Sequence, residues 1–201
     1  MSRQSRRAAA RRKSSPSARP YLIWGSVALV VCLGIFAVVT GRHSVQGAAS
    51  QAPILSFIST GDQAPNFSVT TDRGRFSLSS ARKPVLLELF ATWCPHCQRE
   101  TATMNRLYEK YSSRVRFIAV TASPYGSDRQ SPESARDVAA FIQAFNVRYP
   151  VAFDPSLRVA RSYLQGGYPT IVVIAHDRIR YLTSGETSFT TLDATLRTVT
   201  S

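Results

Sequence analysis

Cys94 and Cys97 stand two residues apart, with Pro95 and His96 between them. Two thiols at this spacing suit one reaction above others. A thiolate attacks a disulfide sulfur, a mixed disulfide forms, and the second thiol resolves it. A bare C-x-x-C is a weak signal, and its context strengthens it. The apolar run Val85-Leu86-Leu87-Glu88-Leu89 precedes the pair, and a helical pattern begins at Pro95. A sulfur at a helix N-terminus meets free backbone N–H groups and the positive end of the helix dipole, which favour the thiolate. Pro95 suits the first helical turn, where a missing N–H costs nothing. Cys94 is therefore the expected nucleophile and Cys97, one turn on, the resolving thiol.

Other cysteine chemistry fits poorly. Cys32, the third cysteine, lies in an apolar segment as a small hydrophobe. No second pair completes a four-ligand zinc site. Gln98, not His, follows Cys97, which argues against C-x-x-C-H haem attachment. His43 and His176 read as surface residues and form no metal triad by spacing.

The pair needs elements to hold it. Asn66–Thr71 and Arg75–Leu78 alternate apolar and polar residues around Asp72-Arg73-Gly74, which predicts a β-hairpin. Pro84–Ala91 reads as a central buried strand, interrupted by Glu88. Met104, Leu107, Tyr108 and Tyr111 predict a helix from Pro95 to about Tyr111. A strand at Val115–Thr121 and a polar loop at Ala122–Ser131 come next. Pro132–Asn146 is expected as a helix, Val151–Phe153 as a short strand and Leu157–Leu164 as a short helix. Ile171–Ala175 and Arg178–Thr183 form a tight hairpin through His176-Asp177, and Phe189–Val199 closes the chain as a helix. The expected order is ββ, βαβ, α, β, α, ββ, α, with no internal repeat.

The 201 residues are 44% hydrophobic, enough for one domain with a core and something extra. Residues 1–20 carry Arg3, Arg6, Arg7, Arg11, Arg12, Lys13 and Arg19 without an acid, so +7 of the net +13 sits in a disordered-looking tail. Nucleic-acid binding is one reading of a basic chain. The next segment favours another. Residues 21–40 contain no charge and span roughly the 30 Å hydrocarbon core as a helix. Tyr21 and Trp24 fall where an interfacial aromatic belt would lie, and the positive-inside rule keeps the arginines cytoplasmic. A cleaved signal peptide ending near Gly47-Ala48-Ala49 is the competing reading, but the apolar run exceeds a usual signal core. Either way, the folded part is expected outside the cytoplasm, where thiol pairs meet oxidants. The expected division is a basic tail at 1–20, a transmembrane anchor at 21–40, a linker at 41–60 and a domain at 61–201.

Trp93-Cys94-Pro95-His96-Cys97 between strand and helix, with Gly167-Tyr168-Pro169-Thr170 before a late strand, resembles the thioredoxin fold. Gly61-Asp62-Gln63-Ala64-Pro65-Asn66-Phe67, Gly74-Arg75-Phe76-Ser77-Leu78 and Ala91-Thr92-Trp93-Cys94 resemble its membrane-anchored, extracytoplasmic TlpA/ResA-like branch. The resemblance implies an α/β thioredoxin fold, a central mixed sheet flanked by helices, with an N-terminal β-hairpin extension and one preceding transmembrane helix. It implies a thiol–disulfide oxidoreductase acting on protein thiols or disulfides outside the cytoplasm, served by a membrane thiol-electron transporter or an oxidase. It implies no metal or organic cofactor.

It also assigns supporting residues. Glu88 would be a buried proton acceptor near Cys97, although a paired residue at the sheet end is the plain alternative. Pro169 would be cis, facing the cysteines, and the backbone of Tyr168 would pair with an extended substrate; Tyr168 itself either shapes the site or only packs. Glu100 matches an acid near the site in this branch, against the reading of an exposed helix residue. Trp93 would pack beside the pair. His96 would stabilise the Cys94 thiolate and make the disulfide more oxidising. Its Pro-His dipeptide resembles the oxidising DsbA-type proteins, while the rest resembles the reducing branch. Reduction of apocytochrome c thiols and oxidation of exported proteins therefore both stand. A peroxidase of the same superfamily is disfavoured for want of its local motif. A non-catalytic binding or assembly module is the alternative from another class.

Overall fold

The computed structural model describes residues 57–201. The basic tail, the 21–40 segment and nearly all of the linker lie outside these residues. Among the described residues no helix is long and apolar enough to cross a membrane.

Among the described residues twelve elements succeed one another: β1 (Ser68–Thr71), β2 (Gly74–Ser77), a 3₁₀ turn (Leu78–Ser80), β3 (Val85–Phe90), α1 (Pro95–Tyr111), β4 (Arg116–Thr121), α2 (Ala135–Ala144), β5 (Val151–Ala152), α3 (Arg158–Tyr163), β6 (Thr170–Ala175), β7 (Arg178–Ser184) and α4 (Phe189–Thr200). They build one seven-stranded mixed sheet in the order β2-β1-β5-β4-β3-β6-β7. β3 and β4 are parallel across the α1 crossover, and β6 runs antiparallel on the other side of β3. This central triplet fixes where the cysteines sit: α1 starts just beyond the end of β3, which has paired neighbours on both sides.

Side chains alternate across a strand, and β3 divides its own between two cores. Leu86 and Phe90 join one, with α1 (Met104, Leu107, Tyr111), α2 (Val138, Phe141) and α4 (Leu192, Leu196). Val85, Leu87 and Leu89 join the other, with α3 (Val159, Tyr163). All six residues of β3 are buried. Glu88 shares the parity of Leu86 and Phe90, so it points to the α1 face, the face that holds both cysteines.

The expected helix at Pro132–Asn146 is shorter. Ser134 caps α2: its hydroxyl accepts from the N–H of Asp137, whose carboxylate reaches back to the Ser134 N–H at 3.0 Å. Asn146 is left-handed (φ 49°) and lies beyond the helix. Leu157, expected inside α3, is the left-handed residue before it (φ 52°). Leu78 leaves the hairpin and starts the 3₁₀ turn. His176 and Asp177 both have positive φ (53° and 58°), as a two-residue primed turn requires.

The hairpin β1–β2 joins the sheet through one register pair, Thr71 with Ala152. Asp72 reinforces it: its N–H donates to Val151 O (2.9 Å), and its carboxylate accepts from the Val151 N–H (2.8 Å). At the opposite margin the segment before the hairpin runs along β7. Gly61 N–H donates to Ile179 O (2.8 Å), and Ile179 N–H donates to Asp62 O (2.9 Å).

Candidate active site

Cys94 occupies the N-cap of α1 with an extended backbone, and its Sγ accepts from the Cys97 N–H at 3.4 Å. The helix N-terminus thus aims a backbone donor at this sulfur, as a nucleophilic thiolate needs. The two cysteines are free thiols. Both are buried, Cys94 at 3% exposure and Cys97 at 0%, so the difference in access is small. On its other side Cys94 Sγ lies 3.7 Å from the carbonyl oxygen of Tyr168. The Tyr168–Pro169 peptide bond is cis. The late loop therefore presents its backbone directly against Cys94 Sγ.

Three carboxyls surround this apolar site. Glu88 is 2% exposed, and burial pushes its pKa up to about 8; a hydrogen bond from Tyr149 opposes the rise and the charge of Glu100 adds to it. Cys97 is driven well above an ordinary thiol, first by burial and then by the charge of Glu88. These two groups therefore sense each other across the sheet–helix interface. Glu100 is buried too, at 2% exposure, which sets aside the exposed-helix reading. One of its oxygens accepts from the Thr187 N–H (2.9 Å), the other is unpartnered among the described residues, and burial lifts its pKa to about 7.

Sequence reasoning passed over the third acid, Glu133. It is buried and accepts from the Thr92 hydroxyl (3.0 Å). Its second oxygen is unpartnered among the described residues, and burial raises its pKa to about 7. A carboxyl that keeps its proton can leave one oxygen without a donor at lower cost than a carboxylate can. Glu133 sits in Ser131-Pro132-Glu133-Ser134, where an acid beside a helix cap is unremarkable; only the fold of the preceding loop buries it.

That loop also holds the aromatic wall. Trp93 Nε1 donates to Ser123 Oγ (2.9 Å), and the Tyr168 hydroxyl donates to Ala122 O (2.7 Å). The two rings meet edge to face at 5.7 Å. Tyr168 thus does more than pack, since its hydroxyl ties the cis-proline loop to the end of β4. Pro95 opens α1 as expected of an N1 residue. His96 lies 60% exposed on the first turn, with Nδ1 2.5 Å from Glu186 Oε1. No local pattern signals Glu186, a loop residue some ninety positions away. No cluster of metal-ligating residues occurs among the described residues.

A family model of the AhpC/TSA family matches residues 60–182, well over half of the chain. The chain belongs to the AhpC/TSA family. The chain is also similar to curated proteins named as thiol–disulfide oxidoreductases and thioredoxin-like proteins. Thiol-disulfide oxidoreductase ResA of Bacillus cereus (strain ZK / E33L) is 33% identical over 120 residues, 58% of this chain and 64% of the relative. Thioredoxin-like protein YneN of Bacillus subtilis (strain 168) is 31% identical over 119 residues, 58% of this chain and 66% of the relative. The chain thus spans just under two thirds of the curated relatives it matches.

Among solved structures, a thiol:disulfide interchange protein of the thioredoxin family from Chlorobium tepidum TLS superposes with a TM-score of 0.58 at 25% identity, covering 72% of this chain and 99% of that chain. StoA from Bacillus subtilis gives 0.55 at 20% identity, covering 65% and 96%. These likenesses establish the thioredoxin-like α/β fold for this AhpC/TSA member.

Proposed function

We propose that this protein is a thiol–disulfide oxidoreductase that acts on protein substrates outside the cytoplasm and is held to the membrane by residues 21–40. The observation that carries the reading is the position of Cys94 Sγ. It lies between the Cys97 N–H at 3.4 Å and the Tyr168 carbonyl at 3.7 Å. A helix N-terminus supports the thiolate on one side, and a backbone edge stands ready for an extended peptide on the other. The names of the curated relatives agree with this chemistry.

The exchange is written in the reducing direction. The Cys94 thiolate attacks one sulfur of a substrate disulfide; the S–S bond breaks and the substrate's other sulfur leaves as a thiolate. Cys97 then gives its proton to Glu88 and attacks Cys94 Sγ. A Cys94–Cys97 disulfide forms, and the second substrate thiol departs. Two electrons pass to the substrate, and an external dithiol donor must restore the pair. A membrane thiol-electron transporter fits that need, and apocytochrome c thiols are the substrate class that the resemblance suggests. The opposite direction, oxidation of exported proteins, uses the same groups in reverse.

The test is a trap. Cys97→Ser protein should accumulate mixed disulfides on Cys94 with extracytoplasmic proteins, visible on non-reducing gels, while Cys94→Ser protein should accumulate none. Equal trapping by both variants, or by neither, would end the reading. The reduction potential decides direction: about −270 mV marks a thioredoxin-like reductant and about −120 mV a strong oxidant.

A further inference from the structure

Thiol exchange at Cys94 and Cys97 makes no direct use of Glu186, yet the fold holds it firmly. It lies in the loop between β7 and α4. Before it, the Gly185 N–H donates to Pro169 O at 2.7 Å. After it, the Thr187 N–H donates to Glu100. Between these two bonds the Glu186 carboxylate faces the first turns of α1. It accepts from Arg99 Nε at 3.1 and 3.3 Å and from Arg99 Nη2, and Oε1 lies 2.5 Å from His96 Nδ1. Nδ1 also lies 2.8 Å from Arg99 Nη2, so imidazole, guanidinium and carboxylate meet at one point. Arg99 first and His96 second hold the Glu186 pKa down to about 2, so it is ionised throughout the physiological range. The Arg99 pKa is in turn raised first by its hydrogen bonds to Glu186 and last by the charge of Cys94.

A cation beside the first cysteine stabilises its thiolate, favours the dithiol and makes the couple more oxidising. Arg99, on the second turn of α1, is such a cation, and His96 is one whenever its imidazole carries both protons. An anion held between them acts in the other.

We propose that Glu186 is a potential-setting counter-ion of the cysteine pair, a positioning residue that acts through His96 and Arg99 and keeps the couple on the reducing side. The inference rests on the thiol-exchange reading of Cys94 and Cys97. It resolves the conflict left by Cys94-Pro95-His96-Cys97: an oxidising dipeptide in a reducing scaffold is compensated from a distant loop.

Glu186→Gln keeps the shape and the acceptor oxygen and removes the charge. In glutathione redox titration of the full-length protein at low salt, the equilibrium should move on the order of fivefold toward the dithiol, about 20 mV at 29.6 mV per decade. The cluster is partly exposed, so the difference should shrink at 1 M salt, where the screening length is about 3 Å. Arg99→Gln should move the equilibrium toward the disulfide further in the Glu186→Gln protein than in the parent, because the guanidinium, charged in both, is then uncompensated. A Glu186→Gln shift below twofold, or one that persists undiminished at 1 M salt as a packing effect would, overturns the proposal. A parent protein that forms no Cys94–Cys97 disulfide anywhere in the titration overturns the exchange reading instead, and the proposal with it.

Discussion

At the scale of single residues, the site is a dithiol surrounded by acids that burial has made weak. In the exchange proposed above, Glu88 is the one that moves a proton. With a pKa pushed up to about 8 it is largely protonated at neutral pH, and its base form grows as the pH rises toward 8. Resolution by Cys97 should therefore accelerate over that range. Glu88→Gln should remove that limb and slow resolution by about 100-fold, within the usual range for a general base. The initial attack by Cys94 should be nearly unchanged. Stopped-flow tryptophan fluorescence with a mixed-disulfide substrate separates the steps; equal slowing of both would mean that Glu88 only supports the packing. Much of this was legible. Cys94, Cys97 and Glu88 stood out because a thiol pair after a strand and an acid in an apolar run each break a local pattern, while Pro169 stood out only through the resemblance to the thioredoxin fold. Glu133 and Glu186 break none. One follows a proline in a polar loop and the other follows a glycine, so only tertiary contact reveals them.

At the scale of elements, β3 and α1 do most of the positioning, and the elements around them serve as clamps. The sequence pattern located the strands and α-helices of the described region, the amphipathic ones by periodicity and the doubly buried β3 and β6 by their continuous apolar runs. Their ends were less legible, since termini are set by caps and by single left-handed residues. α2 shows this: Ser134 and Asp137 form a capping box that starts the helix three residues later than periodicity suggests. The box also fixes the neighbour of Glu133. Ser134→Ala should cost about 1 kcal/mol, seen as a fall in Tm of about 3 °C. It should also alter the environment of Trp93, whose ring stacks under Arg129 from the same loop at 4.8 Å. A normal melting point would show that the cap contributes nothing to the fold.

At the scale of the whole molecule, the buried carboxyls link stability to pH. The folded state holds Glu88 protonated up to about pH 8, whereas the unfolded chain releases that proton near pH 4.5. The native state then binds more protons than the unfolded state between those values, so stability falls as the pH rises through the window. The contribution of Glu88 is fully present below about pH 4.5 and gone above about pH 8, a loss on the order of 5 kcal/mol. Glu100 and Glu133, each lifted to about 7, act in the same sense. Urea midpoints measured from pH 4.5 to 8.5 should decline, and Glu88→Gln should flatten much of the decline; a parent midpoint that rises across this range would contradict the assignment. The far margin of the sheet carries a different consequence. Gly61 and Asp62 occupy the backbone groups of Ile179 that β7 would otherwise turn to water. An unpaired edge is a template for a second copy, and these two residues serve as a stopper at the start of β7. A soluble fragment cut just before Ser59 should stay monomeric in light scattering. One cut at Asn66, with the chemistry intact and the stopper gone, should associate through the bared strand.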